Sequence, residues 1–448
     1  MNEHWGIVGG GMLGLMLAHR LRQQGRQVTI LEAGPQLGGL ASAWKLGDIT
    51  WDRHYHVILL SDAHVRALLQ ELDLESEMDW VETKTGFYTD GQLYSMSNSL
   101  EFLKFPPLGL IDKFRLALTI LRASRIKDST KLESILVEDW LRKWSGRRTF
   151  EKIWLPLLRA KLGENYRIAS AAFIWAIIAR MYAARRSGLK REMFGYVRGG
   201  YARILDRFSE KLVADDVSIQ LNQRVTRIES VGDGVRVERA DDVPAYFDRV
   251  IVTTASPLAS QLCPELAEEE HRLLRGVTYQ GIVCASLLLK QPLASYYVTN
   301  ITDDWVPFTA VIEMSALVDR KQVGGNSLVY LPKYVAPDDP MFRESDEQIQ
   351  ERFLSALERM YPHFSRDQVL AFQVSRVKQV FAVTTRNYSQ QVPPMVTSQP
   401  GIYLVNSAHI INGTLNVNET LHLAEQAVPQ LLADRRPRRN LVEAQVMS

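Results

Sequence analysis

The sequence predicts an α/β protein in two parts. One opens the chain as a layer of parallel strands and helices; the other is an α+β part carrying a helical insert. Three observations predict it. Residues 4 to 33 read as strand, glycine turn, helix and strand, a complete βαβ unit. Residues 62 to 195 are mostly helical by apolar periodicity, too long a stretch for one connection. Strands dominate after Gly199, and the chain closes on one further strand and helix.

The elements follow in order. Trp5 to Val8 form an apolar strand. Met12 to Gln24 form a helix, apolar at Leu13, Met16, Leu17 and Leu21; Gly25 ends it, and Val28 to Leu31 make the second strand. Asp62 starts a helix containing Val65, Leu68, Leu69 and Leu72, and Asp90-Gly91 turns a short strand pair. Amphipathic helices then fill 111 to 188. Tyr201 to Leu212 are helical, and Ser218 to Leu221, Val225 to Ser230, Val235 to Glu238 and Arg249 to Thr253 are strands. Residues 277 to 335 and 369 to 381 are strand-rich, with a helix at 346 to 360 between them. Gly401 to Val405 lead into a closing helix at 418 to 432.

Of 448 residues, 46% are hydrophobic and 23% charged, enough for a large buried core. A net charge of +2 shows no basic excess of the kind that nucleic-acid binders carry. Cys263 and Cys284 have no CxxC and no His at ligand spacing, which argues against a disulfide framework or any metal site and fits a cytoplasmic protein. The N-terminus lacks a signal-peptide pattern. The most apolar helical run, Ala171 to Ala179, falls far short of the ~20 residues of a membrane span. A peripheral membrane contact stays open at 171 to 186, where Phe173, Ile174, Trp175 and Ile178 stand near Arg180, Arg185, Arg186, Lys190 and Arg191. Apolar residues on nearly all sides of that helix favour a buried one, or one lining a hydrophobic substrate cavity.

Gly9, Gly11 and Gly14 form G-x-G-x-x-G between a strand and a helix. The first glycine allows the tight turn, the second lets backbone approach a pyrophosphate, and the third lets helix and strand pack closely. Met12 and Leu13 open the helix, whose N-terminus offers free N–H groups to phosphate. Glu32 closes the second strand, where a carboxylate accepts from a ribose diol and repels a 2′-phosphate. The ligand is therefore FAD or NAD, not NADP.

The segment Ala33-Gly34-Pro35-Gln36-Leu37-Gly38-Gly39-Leu40-Ala41 resembles the amine oxidase superfamily of flavoproteins. That group includes protoporphyrinogen oxidases and phytoene desaturases, with UDP-galactopyranose mutases as more distant relatives. In the family the glycine pair contacts the FAD phosphates; Leu40 stands where the family usually has Arg. Asp52-Arg53-His54-Tyr55-His56 resembles a D-x-G-x-H element beside the flavin ring, with His54 in place of Gly. Phe194 to Tyr201 resembles the "GG" segment before a substrate-side helix. Val225, with Val250 to Ala255 and hence Thr254, resembles the strands that cover the adenine. Gly401 to Asn406 resembles a G-hydrophobic-GD strand whose acid bonds the ribityl chain, here with Val405-Asn406. Asn416 and Val417 then open a helix that would face the N1–C2=O edge of the ring.

The resemblance implies a Rossmann-like, glutathione reductase-like FAD domain, discontinuous over 1–60, 195–260 and 395–435. The substrate domain would take 61–194 and 261–394, and 436–448 would be a disordered tail. FAD is the implied cofactor, and hydride removal from a small organic molecule, hydrophobic or a nucleotide sugar, the implied activity. His56 is the candidate for ring tuning or proton transfer, with a structural role as its alternative; His54 reads as structural. Lys290 and Lys333 read as ordinary lysines. Arg376, Lys378 and Arg386 offer an anion site, against a solvated-surface reading that is favoured. Two rival functions remain: a redox-neutral mutase, for which Asn406 speaks, and a colourless binding protein like the Rab GDP-dissociation inhibitors, against which the glycine motif and Glu32 speak.

Overall fold

A computed structural model describes residues 3–184, 193–240 and 242–434. The expected tail at 436–448 and the basic cluster from Arg185 to Arg191 lie outside them. Strand His4–Val8 is the centre of a five-stranded parallel sheet. Gln27–Leu31 and Arg249–Val252 flank it, and Ser218–Gln220 and Ile402–Leu404 form the edges. The three inner strands are apolar and buried almost throughout, as a parallel sheet covered on both faces requires.

Alternate residues serve the two faces. Trp5, Ile7, Ile30, Ile251 and Tyr403 pack under helices Met12–Gln23, Gly200–Ala214 and Val417–Ala433. Val8, Leu31, Val252 and Leu404 pack under a three-stranded sheet, Val225–Val231, Gly234–Arg239 and Asp242–Phe247, and helix Ser256–Leu262. The strand at Asp242–Phe247 was not expected from sequence. It carries Pro244 at a sheet edge, where a proline is tolerated. The hairpin Ala43–Leu46 to Ile49–Asp52 was also missed; its strands are short and Gly47 turns them with φ +59°.

A second, seven-stranded sheet runs in the order Val369–Ala382, Tyr279–Leu289, Ser327–Val335, Ala310–Glu313, Val298–Ile301, Thr85–Thr89 and Gln92–Ser95. Helix Asp346–Met360 covers one face and the helical insert covers the other. The Asp90-Gly91 turn has φ of +51° and +72°, the paired left-handed geometry of a two-residue hairpin. In the insert, helix Ala171–Ala184 is core: Phe173, Ile174, Trp175 and Ile178 are buried. Arg180 turns inward to Asp62, with Nη2 2.8 Å from Oδ2, rather than toward a membrane. No helix of the described residues is long and apolar enough to cross one.

Three helices of the first layer are tied by one cluster. Arg20 donates to both carboxylate oxygens of Glu71 (2.7 and 2.8 Å) and to Glu425 (2.9 Å), while buried His19 meets Glu71 at 2.7 Å. Burial raises the Glu71 carboxyl, but Arg20 and His19 outweigh it and hold it at about 2. A carboxyl depressed in the fold contributes stability above its unfolded value and loses it as pH falls toward the folded one. Glu71→Gln should therefore cost about 1–3 kcal/mol at neutral pH. The deficit should shrink as pH drops from 4.5 toward 2, read by chemical denaturation across that window.

Candidate functional site

The turn after the first strand uses its three glycines differently. Gly9 has φ +113°, and a Cβ there would collide with Thr253 Oγ1. A Cβ on Gly14 would overlap the carbonyl oxygen of Gly9. Gly11 has an ordinary φ of −75°, and the nearest atom to a Cβ there is Gly39 Cα, 3.9 Å away. The protein itself needs glycine at 9 and 14, but not at 11. A glycine without an internal reason marks where something outside the chain approaches the backbone.

A second glycine turn faces the first. Gly38 (φ +106°) donates its N–H to Gly10 O at 2.8 Å, and Gly39 (φ +57°) stands exposed over Gly11. Leu40 is half-buried and Ala41 buried beside it. Met12 and Leu13 occupy the first helical turn, whose N–H groups have no acceptor within the helix. Together these make a cradle of backbone donors between two glycine turns. Glu32 clamps its rim, accepting from Gly10 N and Gly34 N, each at 2.7 Å. Ala33 is exposed next to it. Asn222 N donates to Gly34 O and Gln223 N to Glu32 O, so the stretch leading into half-buried Val225 runs alongside the acidic strand end.

The last strand and helix reach the same region. Helix Val417–Ala433 packs along helix Met12–Gln23, and its N-cap is Asn416, whose Oδ1 accepts from Glu419 N at 3.1 Å. Asn406 is fully buried. Its Nδ2 donates to Thr254 O (2.9 Å) and its Oδ1 accepts from Ala408 N (3.0 Å), so its amide ties the strand end to the neighbouring turn. Thr254 Oγ1 is buried without a protein partner.

The 44 to 56 stretch gathers further unpartnered groups. Trp44 Nε1, Trp51 Nε1, Arg53 Nε, His54 Nε2 and His56 Nδ1 are buried with no hydrogen bond, a density that calls for a ligand. His56 packs on Tyr201 (ring centroids 4.8 Å apart), and its Nδ1 lies 3.9 Å from Asp52 Oδ2. Burial, then the neighbouring His54, pushes its imidazole down to about 4, so it is neutral at pH 7. His54 Nδ1 meets Leu40 O at 3.2 Å and is likewise pushed down to about 4 by burial. Asp52 accepts from Tyr201 N at 2.8 Å; burial raises its carboxyl to about 8 against the pull of the Tyr201 and Ala202 amides.

Sequence reasoning missed Lys161. It stands on helix Leu155–Leu162, just after a π turn at Phe150–Trp154. Its Nζ lies 3.6 Å from the ring centre of Tyr334 and 5.0 Å from that of Phe381, with no carboxylate in ion-pair range among the described residues. Burial pushes its amine down to about 7. Tyr334 OH shares a 2.8 Å hydrogen bond with Tyr55 OH, which leads back to His54 and His56. No local pattern in KLGEN distinguishes this lysine; only the sheet beneath it does. Lys290 is exposed, and Lys333 is lowered by burial on the strand that carries Tyr334. Arg376 is spent on Asp346 (2.6 Å) and Glu344 O (2.7 Å), while Lys378 and Arg386 are exposed. They do not assemble an anion site.

Residues 13–417 match the model of the flavin containing amine oxidoreductases. The chain belongs to that family. The family implies FAD as cofactor and oxidoreductase chemistry, and the match does not favour the mutase-like or inhibitor-like alternatives. Flavin-containing amine oxidase A of Equus caballus is 23% identical over 312 residues, 64% of this chain and 56% of that protein. The 15-cis-phytoene desaturase of Solanum lycopersicum is 24% identical over 247 residues, 51% and 42% of the two chains. An oxidoreductase structure from Methanosarcina mazei superposes with a TM-score of 0.74 at 19% identity, covering 95% of this chain and all of that one. The matched region thus spans about half the length of these two curated relatives, and the structural likeness shows a shared mixed α/β fold.

Two outcomes follow from this geometry. Gly11→Val should give a soluble chain with the parent's far-UV spectrum and no retained flavin, whereas Gly14→Ala should fail to fold; normal flavin in the first would remove the cradle as a phosphate site. For Lys161, the folded amine near 7 and the ordinary value of 10.5 mean that the folded chain binds fewer protons between them. Stability then rises with pH across that window. Lys161→Met should raise the thermal midpoint most at pH 7 and below, and the gain should fade toward pH 10.5.

Proposed function

We propose that this chain is an FAD-dependent oxidoreductase that removes a hydride from a small organic molecule. The observation that carries the reading is Gly11: open space and ordinary backbone at a glycine, facing a second glycine turn. Gly9, Gly11, Met12, Leu13 and Gly14, with Gly39, Leu40 and Ala41, would hold the pyrophosphate. Glu32, Ala33, Val225 and Thr254 would hold the adenosine. His56, Asn406, Asn416 and Val417 would frame the ring end, Asn406 through the turn that its amide ties. Bound FAD would supply the hydride acceptor.

The chain's own groups then have separable tasks. The helix N-terminus at Val417 favours negative charge near its first N–H groups. Neutral His56 can accept or donate one hydrogen bond without bringing a charge. Lys161, poised near neutrality on Tyr334, can take or give a proton within reach of the Tyr55–Tyr334 pair. The aromatic cluster of Tyr55, Tyr330, Tyr334 and Phe381 favours a hydrophobic substrate over a nucleotide sugar. The assembly of the parallel sheet from residues 4 to 404 supports a nucleotide domain of 1–60, 195–260 and 395–435, with a substrate domain of 61–194 and 261–394.

The purified protein should be yellow and release FAD, not FMN, on denaturation. Colourless protein that takes up no added FAD would sink the reading. Anaerobic mixing with apolar amines and with other reduced apolar substrates, followed at the flavin absorbance, should bleach it with one class. Glu32→Ala should weaken FAD binding by about 1–3 kcal/mol in a fluorescence titration of apoprotein, since a charge-assisted acceptor is lost.

A further inference from the structure

Helices Ser99–Lys104 and Leu110–Arg125 turn apolar side chains outward. Leu110, Ile111 and Phe114 are 77%, 76% and 69% exposed, Leu118 follows one turn on, and Leu100 and Leu103 extend the patch from the shorter helix. Single exposed apolar residues are normal; a contiguous group is not. On the longer helix the packed side is Leu116, Thr119 and Ala123, set against helices Val137–Ser145 and Ala171–Ala184. At 100° per residue, Leu110, Phe114 and Leu118 point the opposite way. The outer stripe therefore adds nothing to the core, and it runs for about 12 Å along the axis.

The charges around the stripe are mostly positive; the nearby acids outside the longer helix are Glu101, which accepts from Ser95 and Ser97, and exposed Asp128. Arg125 continues the same face, Arg115 and Arg122 flank it, and Lys104 and Lys127 are exposed at its ends. The one acid of the longer helix, Asp112, is turned to its own N-terminus, accepting from Gly109 N at 3.3 Å with Arg148 at 3.6 Å. This concentration stands out in a chain whose total is only +2.

We propose that this face docks on an anionic lipid bilayer, with the leucines, Ile111 and Phe114 entering the headgroup boundary and the arginines meeting lipid phosphates. An apolar stripe bordered by cations is the arrangement that binds such a surface. A second copy of the chain fits less well, because two such faces would bring arginines against arginines. The helix thereby differs from Ala171–Ala184, whose apolar residues are spent in the core.

The test uses the full chain in flotation with vesicles of phosphatidylcholine, alone or mixed with phosphatidylglycerol. Wild type should partition at least tenfold more strongly into the mixed vesicles, and salt should weaken the binding. Ile111→Glu with Phe114→Glu should lose about tenfold or more of it while keeping the parent's unfolding midpoint, since both residues are exposed. Arg115→Gln with Arg125→Gln should erase the preference for the anionic lipid. Wild type unbound to both vesicle types, or the Glu pair binding as tightly as the parent, would overturn the proposal. So would a dimer in light scattering that the Glu pair splits without any vesicle binding, which would assign the face to self-association.

Discussion

The close approach of the first helix to the strand before it governs the two facing glycine turns of this protein. With no side chain on Gly14, the helix settles onto the carbonyl of Gly9, and of the motif's glycines only Gly11 keeps open space beside its Cα. Gly9 reaches φ +113° to make the first turn, and Thr253, just past the end of the neighbouring strand Arg249–Val252, donates to Val8 O at 2.8 Å. The direction of the helix, and so the line along which its first N–H groups point, follows from that contact. The opposing turn at Gly38 and Gly39 is bonded to it through Gly10 O. A shift of the first turn would break the Glu32 clamp, because one carboxylate accepts from both Gly10 N and Gly34 N.

The other end of the site is ruled by burial without compensation. Asp52, His56 and Lys161 are enclosed groups with little or no opposite charge nearby, and each is driven toward its neutral form. Such an interior costs stability and is retained where chemistry gains from it. Arg53 is the fixed charge beside these groups, and Asp52 and Lys161 are shifted to about 8 and about 7, close to neutrality. Rings join the short hairpin ending at Asp52 to the seven-stranded sheet: Tyr330 donates to Asp52 O, and Tyr55 and Tyr334 are paired beside Phe381.

The helical insert serves two boundaries. Its inner helices complete the core over the seven-stranded sheet and bring Lys161 to Tyr334. Its outermost helix keeps its small and medium residues inside and turns Leu110, Ile111 and Phe114 outward. An amphipathic pattern normally locates the core; here the helix is apolar on two opposed sides, and the polar part is reduced to flanks of arginine. Hydrophobic periodicity identifies such a helix but says nothing about which apolar side the rest of the chain will cover.

Much was legible in the chain because it depends on neighbours in sequence. The strand–turn–helix at Gly9 to Gly14, the acidic strand end at Glu32 and the hairpin at Asp90-Gly91 follow from local backbone chemistry, and each stands where the residues indicated. Family likeness joined the glycine turn to Asn416, about 400 residues on. What only the tertiary structure decided is how long-range packing spends each side chain. Asn406 is tied to Thr254, Arg376 is bonded to Asp346, and Arg180 turns in to Asp62. Lys161, ordinary in sequence, is stripped of water by a sheet drawn from residues more than a hundred positions away. Protonation, pairing and exposure are properties of surroundings, and those surroundings exist only once distant strands have met.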